Sequence, residues 1–332
     1  VTDANGCTAT STQNISAPNA PSFTTATSTD VSCNGGNDGT ITVQTTGGTN
    51  PINYNLQPTN QTNLSGSFTN LAANTYTITA TDLNGCSVQT QLTIAEPTVL
   101  SWTSATGTNI SCNGGSDGTI TSQATGGTGT INYTLQPTNQ TNTTGSYSNL
   151  AANTYTITAT DQNGCTTTTQ VTISEPTPLS WTSATATNVS CNGGTDGTIT
   201  SQATGGTGSI NYTLQPTNQT NTTGSYSNLA ANTYTITATD QNGCTTTTQV
   251  TITEPLPLQI TNIASTNPTC VPGNDGSLTV SATGGTTNYQ YSLNGGIQQA
   301  SNTFSNLGSG VYTIQVTDAN GCTATSTQNI SA

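Results

Sequence analysis

The sequence predicts an all-β protein: tandem immunoglobulin-like β-sandwich modules arranged end to end as a rod or filament. Three observations predict it. Nine cysteines fall into two periodic series: Cys33, Cys112, Cys191 and Cys270 stand 79 residues apart, and Cys7, Cys86, Cys165, Cys244 and Cys322 step by 79, 79, 79 and 78. Between them apolar residues alternate with period two, and no 3.6-residue apolar period appears. Only 30% of the 332 residues are hydrophobic, too few for one large core, so the apolar groups must be shared among small repeated cores.

Each element is justified in turn. Strand A runs from about Trp102 to Ser111 and leads into a Gly-rich loop; strand B starts at Thr119, and its first-copy equivalent alternates Ile41 with Val43. Strand C starts at Ile131, matching the alternation Ile52, Tyr54, Leu56; strand E lies near Tyr147. Strand F starts at Thr154, where TYTITAT places Tyr, Ile and Ala on one face and threonines, favoured on pleated surfaces, on the other. Strand G starts at Cys165, after an Asp-x-Asn-Gly-Cys string whose Asn-Gly is a strong hairpin signal. The string LAANTY before strand F resembles the tyrosine corner of immunoglobulin-like sandwiches. Together these make a seven-strand module, A to G. The pairs Glu96-Pro97, Glu175-Pro176 and Glu254-Pro255 close successive copies. Residues 1–17 read as the last strands of a preceding repeat, and 18–97, 98–176, 177–255 and 256–332 as repeats one to four. Residues 1–17 and 316–332 are the same string, offset by 315 residues. The termini therefore read as cuts through a longer polypeptide.

The composition excludes function classes. There are 13 acids and no Lys, Arg or His, giving a formal charge of -13. Nucleic acid and anionic membranes both need cations on the protein, so neither is an expected partner. Catalysis through His or Lys is impossible, and a carboxylate-only glycosidase would need two acids in an open cleft that a 79-residue sandwich does not offer. The expectation is that the chain is not an enzyme.

The strings CNGGNDGTITVQTTGG (Cys33–Gly48), Tyr54 and LAANTYTITATDLNGC (Leu71–Cys86) resemble the SprB-type repeat of large surface adhesins in gliding and other Bacteroidota. The resemblance covers essentially the whole chain, four times over, and departs at CVPGNDGS (Cys270–Ser277), where Pro272 stands at the first loop Gly. It implies an exported, cell-surface, filamentous or adhesive protein sent out by the type IX route, with no enzymatic activity.

Strand parity places the A–B loop and the F–G hairpin at opposite ends of a module. The loop of one module therefore meets the hairpin of the next. Sorted this way, the acids gather in three junction triples: Asp38, Glu96 and Asp161; Asp117, Glu175 and Asp240; Asp196, Glu254 and Asp318. With no cation to neutralise them, such triples suit a hard ion with oxygen ligands, and calcium at every junction is the expectation. Turn chemistry alone is the competing reading, since Asp-Gly is ordinary in turns. The cysteines pair either within modules (Cys33–Cys86, Cys112–Cys165, Cys191–Cys244, Cys270–Cys322) or across junctions (Cys33–Cys165, Cys112–Cys244, Cys191–Cys322). Sequence does not fix connectivity. Within-module pairs would span opposite ends of a sandwich, beyond the ~7 Å limit on Cα separation, and parity favours the junctions.

Trp102, Trp181, Phe23 and Ile260 each precede a loop cysteine by ten residues; they read as core or junction plugs rather than as a sugar-stacking platform. The Asn-x-Thr triplets at Asn60, Asn139 and Asn218 follow from the abundance of both residues. The functional expectation is an extracellular stalk or filament of a bacterial surface adhesin, stiffened by junction calcium and disulfides. The alternative is a calcium-dependent carbohydrate-binding module. Expected partners are neighbouring repeats of the same chain, laterally associated copies, and a surface or glycan target.

Overall fold

The computed structural model describes residues 1–270 and 272–331. It is β throughout among these residues and divides into two compact units, Val1–Asn109 with Ser116–Ser174, and Ile110–Gly115 with Glu175–Ala332.

In the first unit, the first module has seven strands: β1 (Ser22–Thr29), β2 (Gly39–Thr46), β3 (Asn53–Gln57), β4 (Gln61–Asn63), β5 (Ser67–Leu71), β6 (Asn74–Thr81) and β7 (Ser87–Ile94). They form two antiparallel sheets, β1-β2-β5 and β4-β3-β6-β7. The period-two pattern is the cause. Ile41 and Val43, Tyr54 and Leu56, and Tyr76, Ile78 and Ala80 all point into one core, where each is buried. The threonines between them face outward. The second module repeats the plan from Ser101–Thr108 to Thr166–Ile173, and in the second unit the third repeats it from Ser180–Thr187 to Thr245–Ile252. At the corner before β6, the Tyr76 hydroxyl donates to Ala72 O (3.0 Å), and Tyr155, Tyr234 and Tyr312 make the same bond to Ala151, Ala230 and Gly308. The tyrosine corner is present in all four copies.

Three features go beyond the sequence reading. The strand between C and E pairs with β3, in the β4-β3-β6-β7 sheet. Asn60, left-handed at φ 55°, reverses the chain tightly after β3. Asn63 Oδ1 then accepts the N–H of Ser65 (3.0 Å) and Gly66 (2.7 Å), turning the chain toward β5. Gly66 sits at φ 72°, and a Cβ there would lie 2.3 Å from Val43 O, so only glycine fits.

The fourth module has six strands among the described residues, from Gln259–Thr266 to Thr323–Ile330. Asn294 and Gly295 are both left-handed (φ 49° and 72°), and Gly296 N donates to Leu293 O (2.9 Å). After that tight turn the equivalent of β4 is reduced to one bridge, Tyr291 to Gln299, and Ile297 is left 94% exposed.

Finally, residues 1–17 form a hairpin turn and one isolated bridge, Thr2 to Thr8, but no strand. The identical string at the far end pairs as Thr323–Ile330 against Gly310–Thr317, with Ile330 1% exposed against 90% for Ile15. The turn is local to the sequence, whereas the strand needs a sandwich to lie on.

Candidate functional site at the module junctions

The F–G hairpin is shaped by one carboxylate. Asp161 Oδ1 accepts the N–H of Asn163 (2.9 Å) and Cys165 (2.8 Å), and Oδ2 accepts Thr128 N (2.7 Å). Gly164 N donates to Asp161 O (3.1 Å), and Asp161 N to Cys165 O (3.0 Å). Gly164 takes the left-handed conformation at φ 86°. This is a three-residue loop with a glycine bulge, not the two-residue Asn-Gly turn that the string alone suggests. The difference matters, because it leaves the Asn163 amide facing out beside the Cys165 sulfur.

The A–B loop is fixed by two other acids. Asp38 Oδ1 accepts Ser32 N (3.0 Å), and the Ser32 hydroxyl donates to Oδ2 of the same carboxylate. Glu96 Oε2, at the end of the module, accepts Gly35 N (2.7 Å), and Asn34 Nδ2 donates to Pro97 O (3.0 Å). Loop and linker of one module are thus pinned to each other, with Cys33 between them.

Loop and hairpin then meet. Cys33 and Cys165 form a disulfide with Cα atoms 5.7 Å apart, and Asn163 Nδ2 donates to Ser32 O (3.1 Å). The second unit holds the same contact twice. Cys112 bonds Cys244 with Asn242 Nδ2 on Ser111 O (3.0 Å), and Cys191 bonds Cys322 with Asn320 Nδ2 on Ser190 O (3.1 Å). Gly114 N on Glu175 Oε2 and Gly193 N on Glu254 Oε2, both 2.7 Å, repeat the loop-to-linker bond. The loop Ile110–Gly115 falls in the second unit because its bonds are made there, to Cys244, Asn242, Glu175 and Pro176.

The carboxylates expected to ligate calcium are occupied differently. Among the described residues no group of three or more His, Cys, Asp or Glu side chains is placed to hold a metal ion. In the expected triples of Asp38, Glu96 and Asp161, of Asp117, Glu175 and Asp240, and of Asp196, Glu254 and Asp318, the acids other than Asp117 serve as N–H and O–H acceptors: the Asp side chains within their own module, and the linker acids Glu96, Glu175 and Glu254 on the A–B loop. Asp117 is engaged as well. Asp161, Asp240 and Asp318 are buried, with both oxygens of each bonded to backbone N–H. The Ser32 hydroxyl and N–H hold the Asp38 carboxyl below the usual range, and Ser190 and Thr269 do so for Asp196 and Asp275. The Thr49 N–H leads in lowering Asp82. For Asp161 and Asp240 burial is the largest influence and raises the value, but the combined N–H donors outweigh it and the net shift is downward.

Asp30, which fits no triple, has a plain role. Its Oδ1 accepts Ala95 N (2.8 Å), tying the end of β1 to the end of β7. Asn109 and Asn188 make the same bond to Ser174 and Thr253, both at 2.9 Å. Asn at the equivalent positions is the sequence signal that an oxygen, not a charge, is needed here.

Phe23, Trp181 and Ile260 pack against their module cores, and Trp102 lies tilted on Tyr133 with ring centroids 5.9 Å apart. The indole Nε1 of Trp102 and Trp181 and the hydroxyls of Tyr147 and Tyr226 are buried without a hydrogen-bond partner.

The SprB repeat profile matches the chain at residues 25–60, 104–140, 183–219 and 262–297. The protein is a tandem repeat protein of the immunoglobulin-like β-sandwich class, in which each of four modules holds one stretch that matches the SprB repeat. No curated protein matches it. Among solved structures it is similar to a Ca2+-stabilized adhesin that helps an Antarctic bacterium reach out and bind ice (17% identity, 93% of this chain, 99% of that one, TM-score 0.39). It is also similar to Sidekick-1 immunoglobulin domains 1–5 (13%, 92% and 76%, TM-score 0.32). A third is the N-terminal eight Ig domains of Down Syndrome Cell Adhesion Molecule (13%, 94% and 49%, TM-score 0.33), of which the chain spans about half. At these scores the likenesses carry no argument about function.

Proposed function

We propose that the chain is a length of an extracellular stalk or filament of a bacterial surface adhesin, whose work is mechanical and not enzymatic. The SprB repeats and the disulfides support an exported, cell-surface location. Type IX export and a role in gliding belong to the same reading, as does the placing of repeats 18–97, 98–176, 177–255 and 256–332 end to end as a rod.

The observation that carries the reading is that the staples overlap. Cys33–Cys165, Cys112–Cys244 and Cys191–Cys322 interleave, so tension need not follow the backbone. The shortest covalent route runs from Val1 to Cys33, crosses to Cys165, follows the chain to Cys191, and crosses to Cys322. Most of the folded chain lies off that route. Pulling on the two ends with and without a reductant tests this, because a stalk of this kind lengthens greatly only when reduced.

Calcium enters as an addition to the staples: an ion would share carboxylates such as Glu96 and Asp38 with their N–H partners. A fall in melting temperature on chelation, restored by calcium, would place ions at the junctions. Carbohydrate binding is separated from a pure stalk by a glycan array, on which the stalk shows no saturable binding.

A further inference from the structure

We propose that the fourth module carries a binding site for a neutral saccharide, in an open groove between Asn288–Tyr291 and Ala300–Asn302. The site goes beyond the mechanical reading and does not rest on it. The groove has a volume of about 610 Å3, within the roughly 300–1,000 Å3 of small-ligand sites.

The groove lies where this module differs from the other three. In those, β3 and its equivalents Asn132–Gln136 and Asn211–Gln215 each pair with a three-residue strand along its whole length. In the fourth module, strand Gln290–Leu293 meets the returning chain in one bridge, with Tyr291 N on Gln299 O (2.8 Å) and Gln299 N on Tyr291 O (2.9 Å). Side chains then fix the far wall. Gln299 Nε2 donates to Ser301 O (2.9 Å) and Thr303 O (3.0 Å), and Asn302 Nδ2 donates to Val280 O (3.0 Å).

An aromatic ring stands on the near wall. Ile52, Ile131 and Ile210 each precede a core tyrosine by two residues, namely Tyr54, Tyr133 and Tyr212; at the matching place before Tyr291 the fourth module has Tyr289. Tyr289 is half-buried and lines the groove. Its hydroxyl donates to Gly284 O (2.6 Å), and its ring meets Tyr291 edge-on with centroids 6.5 Å apart. A ring held in this way is a platform for the C–H face of a pyranose, and binding need not order it first.

The polar groups around the ring are neutral. Asn288 and Gln290 line the groove, and among the described residues neither side-chain amide bonds a protein atom. Each offers two N–H donors and a carbonyl acceptor, the set with which adjacent sugar hydroxyls pair. Asn288 is left-handed at φ 80° without being glycine, a strain that gathers at ligand sites. Charge sets the class of sugar. The chain has no Lys, Arg or His to meet a uronic acid or a sulfate, and its formal charge of -13 repels both. Among the described residues no acid lines the groove, so the sugar is held without calcium.

The test titrates the full, unreduced chain by isothermal calorimetry, with and without EGTA. The probes are neutral trisaccharides of glucose, galactose, mannose and N-acetylglucosamine, with trigalacturonic acid as the charged control. The expected result is saturable binding of at least one neutral trisaccharide at one site per chain, unchanged by EGTA and absent for the control. Tyr289→Ile, which installs the residue of the other three modules, should keep the fold by circular dichroism and weaken binding at least about tenfold, the order expected for one lost aromatic anchor. Tyr289→Phe keeps the ring and should retain binding. Asn288→Gly suits the left-handed backbone, so it should fold normally and lose roughly two- to tenfold in affinity for one hydrogen bond. Binding of no neutral trisaccharide, equal binding of the charged control, loss of binding in EGTA, or an affinity that Tyr289→Ile leaves unchanged would each overturn the proposal. None of these outcomes touches the staples, and on a glycan array the chain with Tyr289→Ile should behave as the pure stalk.

Discussion

Stretching the chain between its two ends is the perturbation that the interleaved staples constrain most. A chain of n residues extends to at most about 3.3–3.6 Å per residue. Reduced, all 332 residues are available, for a contour of roughly 110–120 nm. Oxidised, the taut path holds Val1–Cys33, Cys165–Cys191 and Cys322–Ala332, about 71 residues, and its contour is about 23–26 nm. The third staple, Cys112–Cys244, lies in slack chain on this route and, once the first staple is removed, marks a longer route through Val1–Cys112, back along Cys244–Cys191 and on through Cys322–Ala332. Single-molecule force spectroscopy with handles at the termini reads both lengths directly. The expected outcome is a stop near 25 nm under oxidising conditions and release to more than 100 nm after reductant is added. Cys33→Ser should move the oxidised stop to that longer route, about 177 residues or roughly 58–64 nm. An oxidised contour above 100 nm, or a stop that Cys33→Ser does not move, would refute the reasoning.

Removing the first staple as Cys33→Ser with Cys165→Ser frees about 68 residues from Pro97 to Cys165 when the second module unfolds, a loop-closure loss of about 4 kcal/mol in the chain-entropy model. Urea unfolding followed by Trp102 fluorescence in a Trp181→Phe background reads it, and a change under ~1 kcal/mol would count against the staple. Tyr147→Phe and Tyr226→Phe should each stabilise by about 1 kcal/mol, because each removes a buried hydroxyl without a partner, and Phe68 already stands at this place in the first module. Burial pushes both tyrosines up to about 12. Their neutral forms therefore favour the folded chain fully below pH 10, and that contribution is lost as pH rises from 10 through 12; tyrosinate absorbance alongside circular dichroism follows it. The depressed Asp38, Asp161, Asp196 and Asp240 work in the opposite direction: their contribution is present above the ordinary value of 3.8 and is lost as pH falls below it. Melting temperature should drop steeply below about pH 4, and a flat profile would contradict the acceptor roles assigned to these acids.

The sandwich was legible because burial in a sheet imposes a period of two, and Tyr76, Ile78 and Ala80 keep it where threonines fill the gaps. The meeting of loop and hairpin was legible from parity: an odd number of strands separates Cys33 from Cys86, so they lie at opposite ends of one module. The sheet of β4 was not, since three residues carry no period and the decision lies with left-handed Asn60 and the Asn63 side chain. The acceptor roles of the acids were not legible, for a physical reason. An Asp followed two and four residues on by free backbone N–H groups can satisfy its charge locally, and clustering in sequence does not distinguish that from clustering around an ion. The 1–17 string shows the remaining limit, since one sequence is a paired strand at one end of the chain and an unpaired segment at the other.

Disulfide mapping of the folded, unreduced chain is the most direct measurement. The account requires peptides linking Cys33 to Cys165, Cys112 to Cys244 and Cys191 to Cys322. Peptides linking Cys33 to Cys86 and Cys112 to Cys165 instead would confine every bond to one module and remove the interleaved path on which the mechanical role depends.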